Sequence, residues 1–128
     1  VLVAVLLIVG RYPSMPSSDP VERWAASVSG ARIAAWVPDI SWLYGPGSRN
    51  RPVTLTRLVD GAPVALDTCP AWMQAVRQGH YPYSAVIPRT TWYHWLTADP
   101  AFRLVAQNDF AAVFAVVGQP DVSCGAAR

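Results

Sequence analysis

The sequence predicts an α/β fold, a small three-layer Rossmann-like sandwich whose mostly parallel sheet is finished by a C-terminal antiparallel hairpin. Three observations lead there. Capped, amphipathic helical segments alternate with short apolar runs, the pattern of strands connected by helices. Proline and glycine stops separate almost every pair of segments. The last two apolar runs are joined by only Asn108-Asp109-Phe110, too short for anything but a hairpin.

Taken in order, the first element begins at Asp19-Pro20-Val21-Glu22. Asp19 is a helix N-cap, Pro20 occupies the first helical position, and Glu22 stands where it can reach back. Val21, Trp24, Ala25 and Val28 recur at helical spacing, and Gly30 ends the helix. Residues 31–37 read as a buried strand stopped by Pro38-Asp39, and residues 41–44 as a short helical turn before Gly45-Pro46-Gly47-Ser48. Residues 53–59 (V-T-L-T-R-L-V) alternate at period two and read as one strand, turned by Asp60-Gly61. Asp67 or Thr68 caps a helix over residues 70–78, with Trp72, Met73 and Val76 inward and Gly79 at its end. A strand over residues 83–87 stops at Pro88. A helix over residues 90–98 follows, then strands over residues 102–107 and 111–117.

Composition narrows the function classes. The chain has 128 residues, is 52% hydrophobic and 14% charged, and so is too apolar for disorder. Its net charge is +2, with ten arginines scattered along the chain and no lysine, which argues against nucleic-acid binding. The two cysteines, Cys69 and Cys124, lack C-x-x-C spacing and histidine neighbours, so no metal site is expected. They are read either as one disulfide in an oxidising compartment or as two separate buried thiols.

Residues 1–10 (V-L-V-A-V-L-L-I-V-G) are apolar throughout, and Arg11-Tyr12-Pro13 follows. At 1.5 Å per residue such a run spans about 15 Å, half of a hydrocarbon core. Arg11 and Tyr12 are the cation and aromatic expected at a bilayer interface. A signal peptide would need a basic segment before the run and small residues at a cleavage site. A buried first strand is the other alternative. The expected organisation is the end of a truncated transmembrane helix over residues 1–12, a linker over 13–18, an α/β domain over 19–118 and a polar tail over 119–128.

Ligands of open α/β sheets bind beyond the carboxyl ends of the strands. Those ends here offer Asp39 and Trp42 after the first strand, and Arg89 and Thr91 after the strand at 83–87. A carboxylate, an indole, a guanidinium and a hydroxyl suit a sugar or a phosphorylated sugar. The competing reading makes Asp39 and Thr90 or Thr91 helix caps and the tryptophans core. Trp24, Trp72, Trp92 and Trp95 fall on apolar stripes and Trp36 in a strand, which leaves Trp42, with Tyr44, in a loop. Gly45-Pro46-Gly47-Ser48-Arg49 is not a phosphate loop: the lysine pattern is missing and Pro46 removes a donor. No local nucleophile signature and no paired carboxylates occur. No cofactor is expected.

Two stretches of the second half are distinctive: Gly79-His80-Tyr81-Pro82-Tyr83-Ser84-Ala85-Val86-Ile87, and Asp99-Pro100-Ala101-Phe102-Arg103-Leu104-Val105 followed by Ala111-Ala112-Val113-Phe114-Ala115-Val116. They resemble the soluble C-terminal domain of bacterial polytopic membrane glycosyltransferases of the GT-C type, the dolichyl-phosphate-mannose and arabinosyl transferase-like proteins. The resemblance spans approximately residues 1–117. It implies a cell-membrane protein with residues 13–128 extracytoplasmic, a polyprenyl-phosphate sugar donor and a cell-envelope acceptor. The family's catalytic carboxylate lies in an early loop among the membrane helices, and no residue here matches it, so an accessory domain is expected. Arg11 at the helix exit leans towards a cytoplasmic side. The alternative is a membrane-anchored or secreted carbohydrate-binding module.

Overall fold

The computed structural model describes residues 18–45 and 47–125. The membrane segment expected over residues 1–12 and most of the linker lie outside them. Among the described residues no helix is long and apolar enough to cross a membrane.

Three helices form where local chemistry starts them. Helix α1, Pro20–Ser27, is capped by Asp19, whose carboxylate accepts from the Val21 and Glu22 N–H groups at 2.8 and 3.0 Å. Strand β1, Arg32–Trp36, leads to a 3₁₀ turn, Ile40–Leu43. After strands β2 (Arg51–Thr54), β3 (Thr56–Val59) and β4 (Ala62–Ala65) comes α2, Cys69–Gln78, capped by Thr68. Strand β5, Tyr83–Val86, precedes α3, Thr91–Ala98, which Thr90 caps. Strands β6, Phe102–Gln107, and β7, Ala112–Val116, complete the domain.

The fold is a small mixed α/β domain, not the Rossmann-like sandwich with a mostly parallel sheet that the sequence predicts. Five strands are ordered β2-β1-β5-β7-β6, and β3 and β4 form a separate two-stranded sheet. Ladders β1–β2 and β1–β5 are parallel; β5–β7, β6–β7 and β3–β4 are antiparallel. The hairpin strand β7 lies inside the sheet, between β5 and β6. The reason is burial: Ala112 to Ala115 are all buried, a run that needs both faces covered, while β6 exposes Arg103 and Leu104 and suits an edge. The Asn108 side chain closes the connecting loop by accepting from the Phe110 and Ala111 N–H groups.

The single strand expected over residues 53–59 is also corrected. It breaks at Leu55, which is buried and turns the chain, so β2 stays in the main sheet while β3 leaves it to pair with β4. Asp60 and Gly61, at φ 52° and 81°, make the two-residue turn between them.

Side chains alternate across the main sheet. Ile33, Ala35, Ala85 and Val113 pack with Val21 of α1 and Leu43 on one face. Ala34, Val86, Ala112 and Phe114 pack with Trp72, Met73, Val76 and Leu96 of α2 and α3 on the other. Asn50, almost fully buried, stitches the first face together. Its amide donates to the carbonyls of Ala25 (2.8 Å) and Leu43 (3.1 Å), and its oxygen accepts from the Ala31 N–H (3.1 Å).

Candidate functional site at the carboxyl end of the sheet

Strands β1 and β5 are parallel neighbours, with Trp36 paired to Val86. Asp39 and Arg89 each lie three residues past those paired positions, at the same end of the sheet. From there the chain diverges. The turn after β1 places Leu43 on the α1 face, whereas α3 after β5 places Leu96 on the opposite face. Loops leaving adjacent parallel strands to opposite faces open a crevice between them, the location where α/β sheets take ligands.

The four candidate residues lie in the connections at this end of the sheet, with different degrees of freedom. Asp39 is exposed and caps the 3₁₀ turn, accepting from the Ser41 N–H at 2.9 Å. Hydrogen bonds from the Ser41 side chain and backbone hold its carboxyl below the ordinary carboxylate range, so it is an anion at neutral pH. Trp42 is half-buried and its ring centroid lies 5.6 Å from that of Phe110. Arg89 is exposed and holds a left-handed backbone, φ 63°, at the β5–α3 turn. Thr91 is the exposed first residue of α3; the cap itself is Thr90, whose hydroxyl donates to the Ile87 carbonyl (2.6 Å) and accepts from the Tyr93 N–H (3.4 Å). Asp39 and Arg89 do not pair: among the described residues the ion pair formed is Arg57–Asp67, 3.5 Å apart and exposed.

Phe110 is the site residue that sequence reasoning passes over. It occupies the β6–β7 turn, is 54% exposed, and meets Trp42 across the crevice end. An aromatic in a tight turn, where Gly, Asn and Asp usually stand, was the available signal. The same end receives the chain from its N-terminal side: the Asn108 amide donates to both Asp19 oxygens, at 3.2 and 3.0 Å. Burial pushes the Asp19 carboxyl up. The bonds from the Glu22 N–H, the Asn108 amide and the Val21 N–H, with nearby Arg23, outweigh burial and hold it below the usual range.

The tryptophans divide. Trp72 is fully buried. Trp36, Trp92 and Trp95 form a half-buried row, with centroids 6.0 and 5.7 Å apart, and the Trp92 indole N–H donates to the Leu66 carbonyl at 2.8 Å. Trp24 lies edge-on to Tyr83, centroids 4.8 Å apart.

A cavity of about 260 Å³ lies elsewhere, between α2, α3 and the C-terminal segment, beside His94, Trp95, Asp99 and the Cys69–Cys124 disulfide. Its acidic groups hold that segment in place. Asp99 accepts from the Ala101 and Asp121 N–H groups, and Asp121 from those of Ser123 and Gly125. The cavity is therefore a joint that fixes the tail. Among the described residues no group of three or more His, Cys, Asp and Glu side chains could hold a metal ion.

Comparison with protein-family models, curated proteins and solved structures finds no match to this chain.

Proposed function

We propose that this chain is the extracytoplasmic accessory domain of a membrane glycosyltransferase, not catalytic by itself, which positions a polyprenyl-phosphate sugar or its cell-envelope acceptor at the carboxyl end of its sheet. One observation carries the reading. The Asp19–Asn108 bonds fix Asp19, the start of α1, to the same end of the sheet as Asp39, Trp42, Arg89 and Thr91. The candidate residues thus share an end of the sheet with Asp19, from which the chain runs back to the apolar residues expected to meet the bilayer, where a lipid-linked substrate resides. Arg89 supplies a cation for phosphate. Trp42 and Phe110 supply apolar faces for a sugar ring or the first prenyl units. The Cys69–Cys124 disulfide supports an oxidising compartment.

Two measurements test this. The coding sequence upstream of Val1 should specify several membrane spans, and their absence refutes the assignment. The 128-residue chain in lipid nanodiscs should bind a polyprenyl phosphate saturably, with affinity reduced about tenfold in Arg89→Ala, the size of one charge-assisted contact. Equal binding by the variant overturns the role given to Arg89. The pairing of half-buried Trp42 with exposed Phe110 favours one second reading, a membrane-anchored or secreted carbohydrate-binding module. That reading requires binding of a free glycan with no prenyl chain.

A further inference from the structure

The β3–β4 ribbon is an unusual feature for a water-exposed surface. Six of its eight strand residues are apolar (Leu58, Val59, Ala62, Pro63, Val64 and Ala65), and all but Ala65 are exposed. Leu58 is 74% exposed, the highest value among the described large hydrophobic residues. A two-stranded ribbon is marginal in water by itself, and an exposed apolar one invites a partner.

Its base fixes where that partner lies. The Leu55 N–H donates to Ala35 at the carboxyl end of β1, and the Leu66 N–H donates to Leu55, so the ribbon springs from the carboxyl end of the sheet. Asp19 is tied to that end too. Eight residues lie between Gly10, the end of the apolar run, and Asp19, a reach of at most about 30 Å. The ribbon base, exposed Phe110 and exposed Arg89 all stand at the end of the sheet to which Asp19 is tied, within that reach of Gly10 along the chain.

We propose that the β3–β4 ribbon lies in the interfacial layer of the lipid bilayer and seats the carboxyl end of the sheet against the membrane. The register separates its faces. Thr56, Leu58, Pro63 and Ala65 share one face without any charge, while Arg57 lies on the other with Val59, Ala62 and Val64 and pairs with Asp67. The uncharged face turns to the acyl boundary, and the Arg57–Asp67 pair and the Asp60 turn stay at headgroup depth, where charge remains solvated. Strand addition by a second copy fits less well, because Pro63 lacks an N–H and interrupts the edge of β4. Arg89, which makes no ion pair among the described residues, meets the lipid phosphates from the same end.

This inference rests on the membrane attachment in the proposed function but not on sugar transfer. Both native cysteines are joined in the disulfide, so an added Leu58→Cys or Gln78→Cys takes an environment-sensitive fluorophore selectively. Gln78 marks the opposite end, since the neighbouring Gly79 carbonyl accepts from Arg32 at the start of β1. The full 128-residue chain is reconstituted in phosphatidylcholine vesicles containing phosphatidylglycerol and no prenyl lipid. The label at 58 should lose most of its emission to a nitroxide-bearing lipid and resist aqueous iodide; the label at 78 should do the reverse. A chain that floats with the vesicles while position 58 is as open to iodide as position 78 overturns the ribbon contact and leaves the proposed function standing. A label at 58 shielded from both quenchers means that protein covers the ribbon, which also overturns it. A chain that does not float at all overturns both.

Discussion

Replacing Asn50 with alanine should cost about 3 kcal/mol, which is a large share of the 5–15 kcal/mol typical of a domain this size. The figure follows from what its three bonds satisfy. The Ala25 carbonyl belongs to the last turn of α1 and the Leu43 carbonyl to the end of the 3₁₀ turn, where no intrahelical donor remains. The Ala31 N–H precedes β1 and donates to Asn50. At about 1 kcal/mol per net bond the sum is about 3 kcal/mol, more if the freed groups stay dry. Urea unfolding followed by tryptophan emission measures it, and a fall in Tm of about 12 °C should accompany it at roughly 4 °C per kcal/mol. Asn50→Asp sharpens the test. It keeps the acceptor for Ala31 but turns an oxygen towards two carbonyls, so its folded pKa must lie above the unfolded value of about 3.9. The variant binds more protons folded than unfolded, and its stability relative to wild type should fall as pH rises through that raised value. A loss below about 1 kcal/mol for the alanine variant, or a pH-independent aspartate variant, would refute the reasoning.

Reduction of the Cys69–Cys124 bond, which spans 55 residues, should lower stability by about 4 kcal/mol on the loop-entropy model; an unchanged urea midpoint with reductant refutes it. Asp19→Ala should cost about 1–2 kcal/mol as a lost N-cap. Because the Asp19 carboxyl titrates below its ordinary value of 3.8, its contribution is complete above about pH 4 and disappears as pH falls through the lowered value, so acid unfolding of Asp19→Asn should be flatter there. Gly45→Ala should destabilise by more than the roughly 1–2 kcal/mol of its left-handed backbone, since a Cβ would also overlap the Ala25 carbonyl; thermal unfolding reads this directly. Arg89→Gly should leave the urea midpoint unchanged or raised while weakening polyprenyl-phosphate binding about tenfold, and a marked loss of stability would place Arg89 in the fold.

Local chemistry made the helices legible. Asp19-Pro20, Thr68 and Thr90 start α1, α2 and α3 because a cap acts within three residues of itself. Strand order was not legible in the same way, since pairing joins residues far apart and the βα pattern is shared by several topologies. One signal was present: A-A-V-F-A-V is apolar on both faces, which a central strand requires, whereas F-R-L-V-A-Q is not. The break at Leu55 was hidden because the alternation V-T-L-T-R-L-V continues through it, although its two halves enter different sheets. Asn50 was equally hidden, its partners lying 7, 19 and 25 residues away. The position of Asp39, Arg89 and Thr91 at the carboxyl end of the sheet was legible because it depends only on where strands stop.

The four candidate residues do not support a function equally, and the structure ranks them. Asp39 already serves the fold by capping the turn, so its chemistry is accounted for without a ligand, and α3 is capped by Thr90 rather than by Thr91. Trp42 is half-used, resting on the α1-side core while its ring meets Phe110. Arg89 is different. It holds a backbone conformation that costs a non-glycine residue about 1–2 kcal/mol and that glycine adopts freely. Its side chain forms no ion pair among the described residues and no hydrogen bond that relieves this cost. A domain selected for stability alone would favour glycine at that turn. The same conformation recurs at Arg49, Asp60, His80 and Cys124, so it is the guanidinium without an ion pair among the described residues at the carboxyl end of the sheet, and not the backbone, that makes the proposed binding role rest on Arg89.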